Sequence, residues 1–93
     1  MFDAPLLRLA EMVLMQAREQ KLRIATAESC TGGLIAGLLT EIPGSSDVVD
    51  RGFVVYSNRA KQDMLNIPGD LIADMGAVSE AVARMMAEGA VEN

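Results

Sequence analysis

Apolar residues recur at helical spacing through "DAPLLRLAEMVLMQAREQK", where Leu6, Leu9, Val13 and Ala17 predict one face of an amphipathic helix. Asp3 stands where an N-cap is needed, and Pro5 falls in the first turn, where a missing N–H costs nothing. Arg18 and Lys21 close the segment, where cations complement the helix dipole. The pattern then shortens. "LRIATA" reads as a buried strand, "GGLIAGLLTEI" as a helix stopped by the turn formers of "PGSSD", and "GFVVYS" as a second strand with β-branched and aromatic content. "NRAKQDMLN" follows as a helix capped by Asn58 and broken by "IPGD". A turn or short helix, "LIADMG", leads to a last helix in "AVSEAVARMMAEGAVEN", with Ser79 as N-cap and Glu80 in its first turn.

Helices alternating with strands predict an α/β layered domain. Two strands make a poor sheet, and the last helical pattern runs to Asn93 without a stop signal, so the chain reads as the first part of a larger domain. Its 93 residues suffice for one small domain, close to the size at which a single core is marginal. With one Tyr, two Phe and no Trp, that core must be built from Ala, Leu, Ile, Val and Met. Thirteen acidic residues against eight basic ones, without a Lys/Arg cluster, argue against nucleic acid or an anionic membrane as partner. No apolar run approaches the roughly 20 residues of a membrane span, and the first residues lack the order of a signal peptide, which predicts a cytoplasmic location. The lone Cys30 has no internal disulfide partner and fits a reducing compartment.

The absence of histidine narrows the chemistry most. It removes Ser-His-Asp and Cys-His hydrolases and His-based metal sites together, and neither a metal nor a cofactor is expected. Attention falls on "IATAESCTGG", where a strand gives way to a Gly-rich helix start. Such a turn exposes a side chain and gathers backbone N–H groups able to hold an oxyanion or a phosphate. Ser29 is a candidate nucleophile there; alternatively, Ser29 or Thr31 merely caps the helix. Cys30 reads as a small core residue rather than a nucleophile. With no histidine, a serine nucleophile needs a lysine base. Lys21 is explained by the helix end, whereas Lys61 lies in the first turn after the second strand. Parallel neighbouring strands would bring Ser29 and Lys61 to one carboxyl edge, where open α/β sheets place their sites. Tyr56 ends the second strand and could reach the same pocket. The competing readings are a solvated surface lysine at Lys61 and a half-buried strand aromatic at Tyr56.

The blocks "TAESCTGGLIAGLLTEIPGSSDVVDRGFVVYSNRAKQDML" and "GAVSEAV" resemble the CinA C-terminal domain family, the competence-damage-inducible proteins that include nicotinamide mononucleotide deamidase. The likeness runs from Ile24 to Ala90 without visible gaps, and "ESCTGG", "RGFVVYSN-x2-K" and "GAVSE" together are highly specific. It implies a three-layer α/β/α sandwich around a mixed sheet, and an amidohydrolase that converts nicotinamide mononucleotide to nicotinate mononucleotide and ammonia. The family's proposed nucleophile falls on Ser29 and its base on Lys61, while Tyr56 assists proton transfer or holds the pair. Thr31, Gly32, Gly33 and Asn58 fall at substrate-binding positions, with backbone N–H groups around Thr31, Gly32 and Gly33 as the oxyanion donors. Lys61 must be neutral to accept the Ser29 proton, which calls for desolvation or a nearby cation; Arg59 is close in sequence. Family members continue for several tens of residues through a Thr-Gly-x-x-Gly-Pro-like segment, so residues 1–93 are expected to be one such domain shortened at its C-terminal end. The chain resembles the stand-alone form, without the molybdopterin-binding-like domain of longer members, and is expected to form homo-oligomers. The alternative from another class is a non-catalytic nucleotide- or phosphate-binding or interaction module, in which "SCTGG" cradles a phosphate and Lys61 supplies charge. A third is a purely structural fragment.

Overall fold

A computed structural model describes all residues from Met1 to Asn93. In chain order it contains α1 (Ala4–Glu19), β1 (Ile24–Glu28), α2 (Leu34–Glu41), a 3-10 turn (Ser45–Asp47), β2 (Val49–Val54), α3 (Asn58–Leu65), α4 (Gly69–Met75) and α5 (Glu80–Glu92). The two strands pair in parallel, Ala25 opposite Arg51 and Glu28 opposite Val54. Parallel pairing forces the connection between them to cross over, and α2 is that crossover.

Alternation along the strands, interrupted where the register shifts between the Ile24–Val49 and Ala25–Arg51 pairs, then sorts side chains into layers. Ile24 and Val49 pack with the α1 and α2 residues Ala10, Leu14, Ala17 and Leu39. Ala27, Phe53 and Val55 turn the other way, onto Leu65, Ile67, Ile72, Val82, Met86 and Ala90 of the α3–α5 region. The result is helix, sheet, helix: the three-layer α/β/α arrangement, with a small core on each side of the sheet. Both strands run parallel, so the mixed pairing implied by the resemblance has no representative among these residues. The radius of gyration is 14.2 Å, against about 12 Å for a compact domain of this length, because five helices spread over a sheet only two strands wide.

Several local readings shift. The buried stripe of α1 is Ala10, Leu14 and Ala17, while Leu6, Leu9 and Val13 stay exposed, because only one narrow side of α1 is covered. Asp3 does cap α1, its carboxylate accepting from Leu6 N–H at 3.0 Å. Arg18 reaches past its own helix end to Asp47 at 2.8 Å and to the Gly44 carbonyl at 3.2 Å, tying α1 to the loop after α2. The second strand begins three residues before "GFVVYS" and ends at Val54, because its start is set by pairing with Ile24 rather than by local apolarity. The cap of α3 is Ser57, whose hydroxyl accepts from Ala60 N–H at 3.0 Å; Asn58 is the first helical residue. Ser79 caps α5 as the sequence predicts, accepting from Val82 N–H at 3.2 Å. Cys30 is exposed and free, because it stands on the turn that leaves the sheet and not on the buried run before it.

Two close approaches depend on glycine, one between α3 and α5 within their layer and one where β2 passes β1 and α2. A Cβ on Gly89 of α5 would lie 2.4 Å from the Leu65 carbonyl oxygen at the end of α3. One on Gly52 would lie 2.6 Å from Thr26 Oγ1 and 3.4 Å from Ala36 Cβ of α2. An open groove of about 790 Å³ runs between β1 and the C-terminal half of α5, lined by Ala25, Ala27, Ala83, Ala87 and Ala90 among others. It includes neither Ser29 nor Lys61. No helix is long and apolar enough to cross a membrane.

Candidate active site

Glu28 closes β1 facing α2, and alternation turns Ser29 to the opposite face, toward α3. There Lys61 Nζ lies 3.1 Å from Ser29 Oγ, across 32 residues of sequence. Lys61 is 2% exposed, a rare setting for lysine. Its amine approaches one further acceptor, the Tyr56 carbonyl oxygen at 3.5 Å, and pairs with no carboxylate. The backbone fixes the approach. Val55 N–H donates to the Glu28 carbonyl at 2.8 Å, so the two strand ends leave the sheet together. Ser57 then starts α3, and Lys61 N–H donates to the Ser57 carbonyl at 3.1 Å, which seats the lysine in the first helical turn above the strand end. Lys61 is therefore not a solvated surface lysine.

Tyr56 sits two residues past the end of β2 with its side chain 76% exposed, so it is not a half-buried strand aromatic. It meets Lys61 through its backbone carbonyl, and its phenol makes no hydrogen bond within the chain. Asn58 and Arg59 are both exposed on α3, and Arg59 pairs with Asp63 at 3.4 Å rather than with Lys61.

The Gly-rich turn is built differently from a capped helix start. Gly32 and Gly33 have φ of 62° and 105°, in the left-handed region that favours glycine, and this bends the chain from β1 into α2. Neither Ser29 nor Thr31 caps α2; the cap comes from the strand. Glu28 is 2% exposed, and its Oε1 accepts from Thr31 Oγ1 at 2.7 Å, Ile35 N–H at 2.9 Å and Gly33 N–H at 3.2 Å. Its Oε2 accepts from Ala36 N–H at 2.9 Å. Burial on its own pushes this carboxyl up, but donation from Thr31, Ala36, Ile35 and Gly33 outweighs it and holds Glu28 below the usual glutamate range. A carboxylate therefore occupies the positive end of α2. Gly32 N–H is also engaged, with the Ser29 carbonyl at 3.0 Å, whereas the N–H groups of Cys30 and Thr31 donate to no acceptor in the chain.

The sequence pattern brings Ser29 and Lys61 together but gives Glu28 no role. A usable signal was present: "ATAE" alternates such that Glu28 shares the face of buried Thr26, so a charge there needs partners, and the N–H groups of the adjoining helix start are the nearest donors.

A serine hydroxyl against a buried lysine amine, at the carboxyl edge of a parallel sheet between two helical layers, defines the class: an α/β protein with a Ser–Lys pair. Within that class the chain belongs to the CinA C-terminal domain family, whose profile matches residues 6–93. It is 52% identical over 85 residues to a putative competence-damage inducible protein of Caldicellulosiruptor bescii, covering 91% of this chain and 21% of that protein. A CinA-like protein of Akkermansia muciniphila is 50% identical over 84 residues, covering 90% of this chain and 20% of that one. The solved structure of the competence/damage inducible protein CihA from Agrobacterium tumefaciens superposes with a TM-score of 0.94 at 50% identity, over 99% of this chain and 56% of that one. A CinA superfamily protein from Escherichia coli superposes with a TM-score of 0.92 at 32% identity, over 99% and 55%. The chain thus spans about a fifth of the curated relatives and a little over half of the solved ones.

Proposed function

We propose that this chain carries the nucleophile and base of an amidohydrolase that deamidates nicotinamide mononucleotide through a Ser–Lys mechanism. The observation that carries the reading is the 3.1 Å approach of Lys61 Nζ to Ser29 Oγ at a lysine almost wholly removed from water and without a carboxylate partner. A buried lysine of this kind is suited to general-base work because its amine is desolvated and not tied to an anion.

The chemistry balances as follows. Ser29 gives its hydroxyl proton to Lys61 Nζ as Oγ bonds to the carboxamide carbon. The oxyanion that develops is met by Cys30 and Thr31 N–H, which follow the nucleophile and are left unengaged by the chain; Gly32 and Gly33 contribute the bend that presents them. Collapse breaks the C–N bond, and Lys61 returns the proton so that ammonia leaves. Water, deprotonated by the same amine, hydrolyses the acyl-serine to nicotinate mononucleotide and regenerates both groups. The Tyr56 carbonyl helps hold the amine; Asn58, exposed in the first turn of α3, is the proposed substrate contact, since the Thr31 hydroxyl is engaged by Glu28.

The phosphate-cradle alternative is weakened by Glu28. An anion bound at the start of α2 would compete with a buried carboxylate that already accepts from Gly33, Ile35 and Ala36 N–H.

The test is ammonia release from nicotinamide mononucleotide by this chain, alone and joined to the part of the Agrobacterium relative that it does not cover, each with Ser29→Ala. Release abolished by Ser29→Ala supports the amidase. A folded protein that binds the nucleotide and releases no ammonia makes it a binding module.

A further inference from the structure

Glu28 takes no part in the proton transfers described above, yet it is the most completely bonded buried charge in the molecule. Its two oxygens accept from one hydroxyl and three backbone N–H groups, all within the eight residues that follow it. Ser29 is the next residue along the chain, on the other face of the sheet. A side chain that grips Thr31, Gly33, Ile35 and Ala36 from beneath therefore fixes both ends of the turn on which the hydroxyl rides. We propose that Glu28 is a positioning residue for the nucleophile: anchoring the Ser29–Gly33 turn to α2, it holds Ser29 Oγ against Lys61 and leaves Cys30 and Thr31 N–H unbonded for the oxyanion.

Two features of the geometry support a positioning role over a merely structural cap. A conventional cap would come from the residue just before the helix, and Gly33, which stands there, has no side chain to offer. The cap is supplied instead from five residues upstream of Gly33, across the whole nucleophile turn, so that turn and helix move as one body. Second, the Thr31 hydroxyl is spent on Glu28 at 2.7 Å, which holds the residue whose N–H is free. Chemical rates are sensitive to such placement, since an error of about 1 Å costs on the order of 100-fold.

The inference rests on the Ser–Lys reading, and its experiment separates the two. Ammonia release is measured for the parent, Ser29→Ala, Glu28→Gln, Thr31→Val and Leu39→Ala, in the form joined to the Agrobacterium remainder. Each is assayed well below its own melting midpoint. Labelling of Ser29 by a fluorophosphonate is followed in parallel. Leu39 is buried on α2 away from the clamp, so Leu39→Ala loosens the helix without touching Glu28. Glu28→Gln is expected to lower kcat about 100-fold with KM for nicotinamide mononucleotide within about 3-fold, and to slow labelling in proportion. Thr31→Val is expected to lower kcat about 10-fold, and Leu39→Ala to leave it within about 2-fold. If Glu28→Gln keeps kcat within about 3-fold, or if Leu39→Ala loses as much, the positioning role is overturned while the Ser–Lys reading stands. If neither release nor labelling in the parent depends on Ser29, the Ser–Lys reading fails and the positioning role with it.

Discussion

Replacing Glu28 with glutamine tests the energetics of the turn directly. The carboxylate accepts four hydrogen bonds, and its two oxygens face donors on both sides, Ala36 N–H on one and Thr31, Gly33 and Ile35 on the other. A glutamine can present its carbonyl to only one side. At minimum the Ala36 bond is lost and an amide N–H faces a backbone N–H, which at about 1–3 kcal/mol for an unsatisfied buried donor and a similar amount for a charged bond predicts roughly 2–6 kcal/mol. For a domain whose whole stability is on the order of 5–15 kcal/mol, that is a large share. The pH dependence carries a sharper signature. Glu28 in the fold lies below the ordinary value of 4.5, so the unfolded chain binds more protons as pH falls through that region. The stabilisation is complete above the ordinary value and is lost as pH drops through the folded one. Urea unfolding of the parent and of Glu28→Gln, from pH 7 downward, should show a gap that is constant near neutrality and narrows below about pH 4.5. A gap that does not change with pH, or a variant as stable as the parent at pH 7, refutes the clamp.

Other sites give independent checks. Gly89→Ala puts a Cβ against the Leu65 carbonyl, 2.4 Å away on backbone that cannot swing aside, and should cost at least about 1–3 kcal/mol in urea unfolding. Thr26→Val removes a buried hydroxyl that has no hydrogen-bond partner; the isosteric methyl should raise stability by about 1 kcal/mol, read from the urea midpoint at unchanged slope. Lys61→Met exchanges a buried amine for an unbranched apolar chain of similar length and should leave the melting temperature equal or higher while removing turnover.

What could be read in the sequence, and what could not, follows physical lines. Ser29 and Lys61 were legible because the parallel crossover sends both strand ends to one edge, and because a chain without histidine leaves few bases. The ends of β2 were not, since Asp50 and Arg51 look like loop until Ile24 and Ala25 are known to pair with that segment. The buried face of α1 differs from the one its spacing predicts because Leu9 and Val13 are as apolar as Leu14, and helical spacing cannot tell which part of a wide apolar stripe receives a neighbour. Tyr56 fits the "VYSN" block by identity, yet leaving the sheet at Val55 turns its ring outward and only its carbonyl inward. Glu28 stayed hidden because a carboxylate at a strand end ordinarily reads as surface. Its partners are backbone groups, which carry no residue signature.

The proposed role of Lys61 as base for Ser29 can be separated from a role in binding. The most direct measurement compares ammonia release from nicotinamide mononucleotide by the parent and by Lys61→Met, both joined to the Agrobacterium remainder, with nucleotide binding measured in parallel. Lys61→Met is expected to bind the nucleotide with similar affinity and to lose about 100- to 10,000-fold in kcat, the range expected for removing a general base. Ammonia release at the parental rate from Lys61→Met would contradict that role.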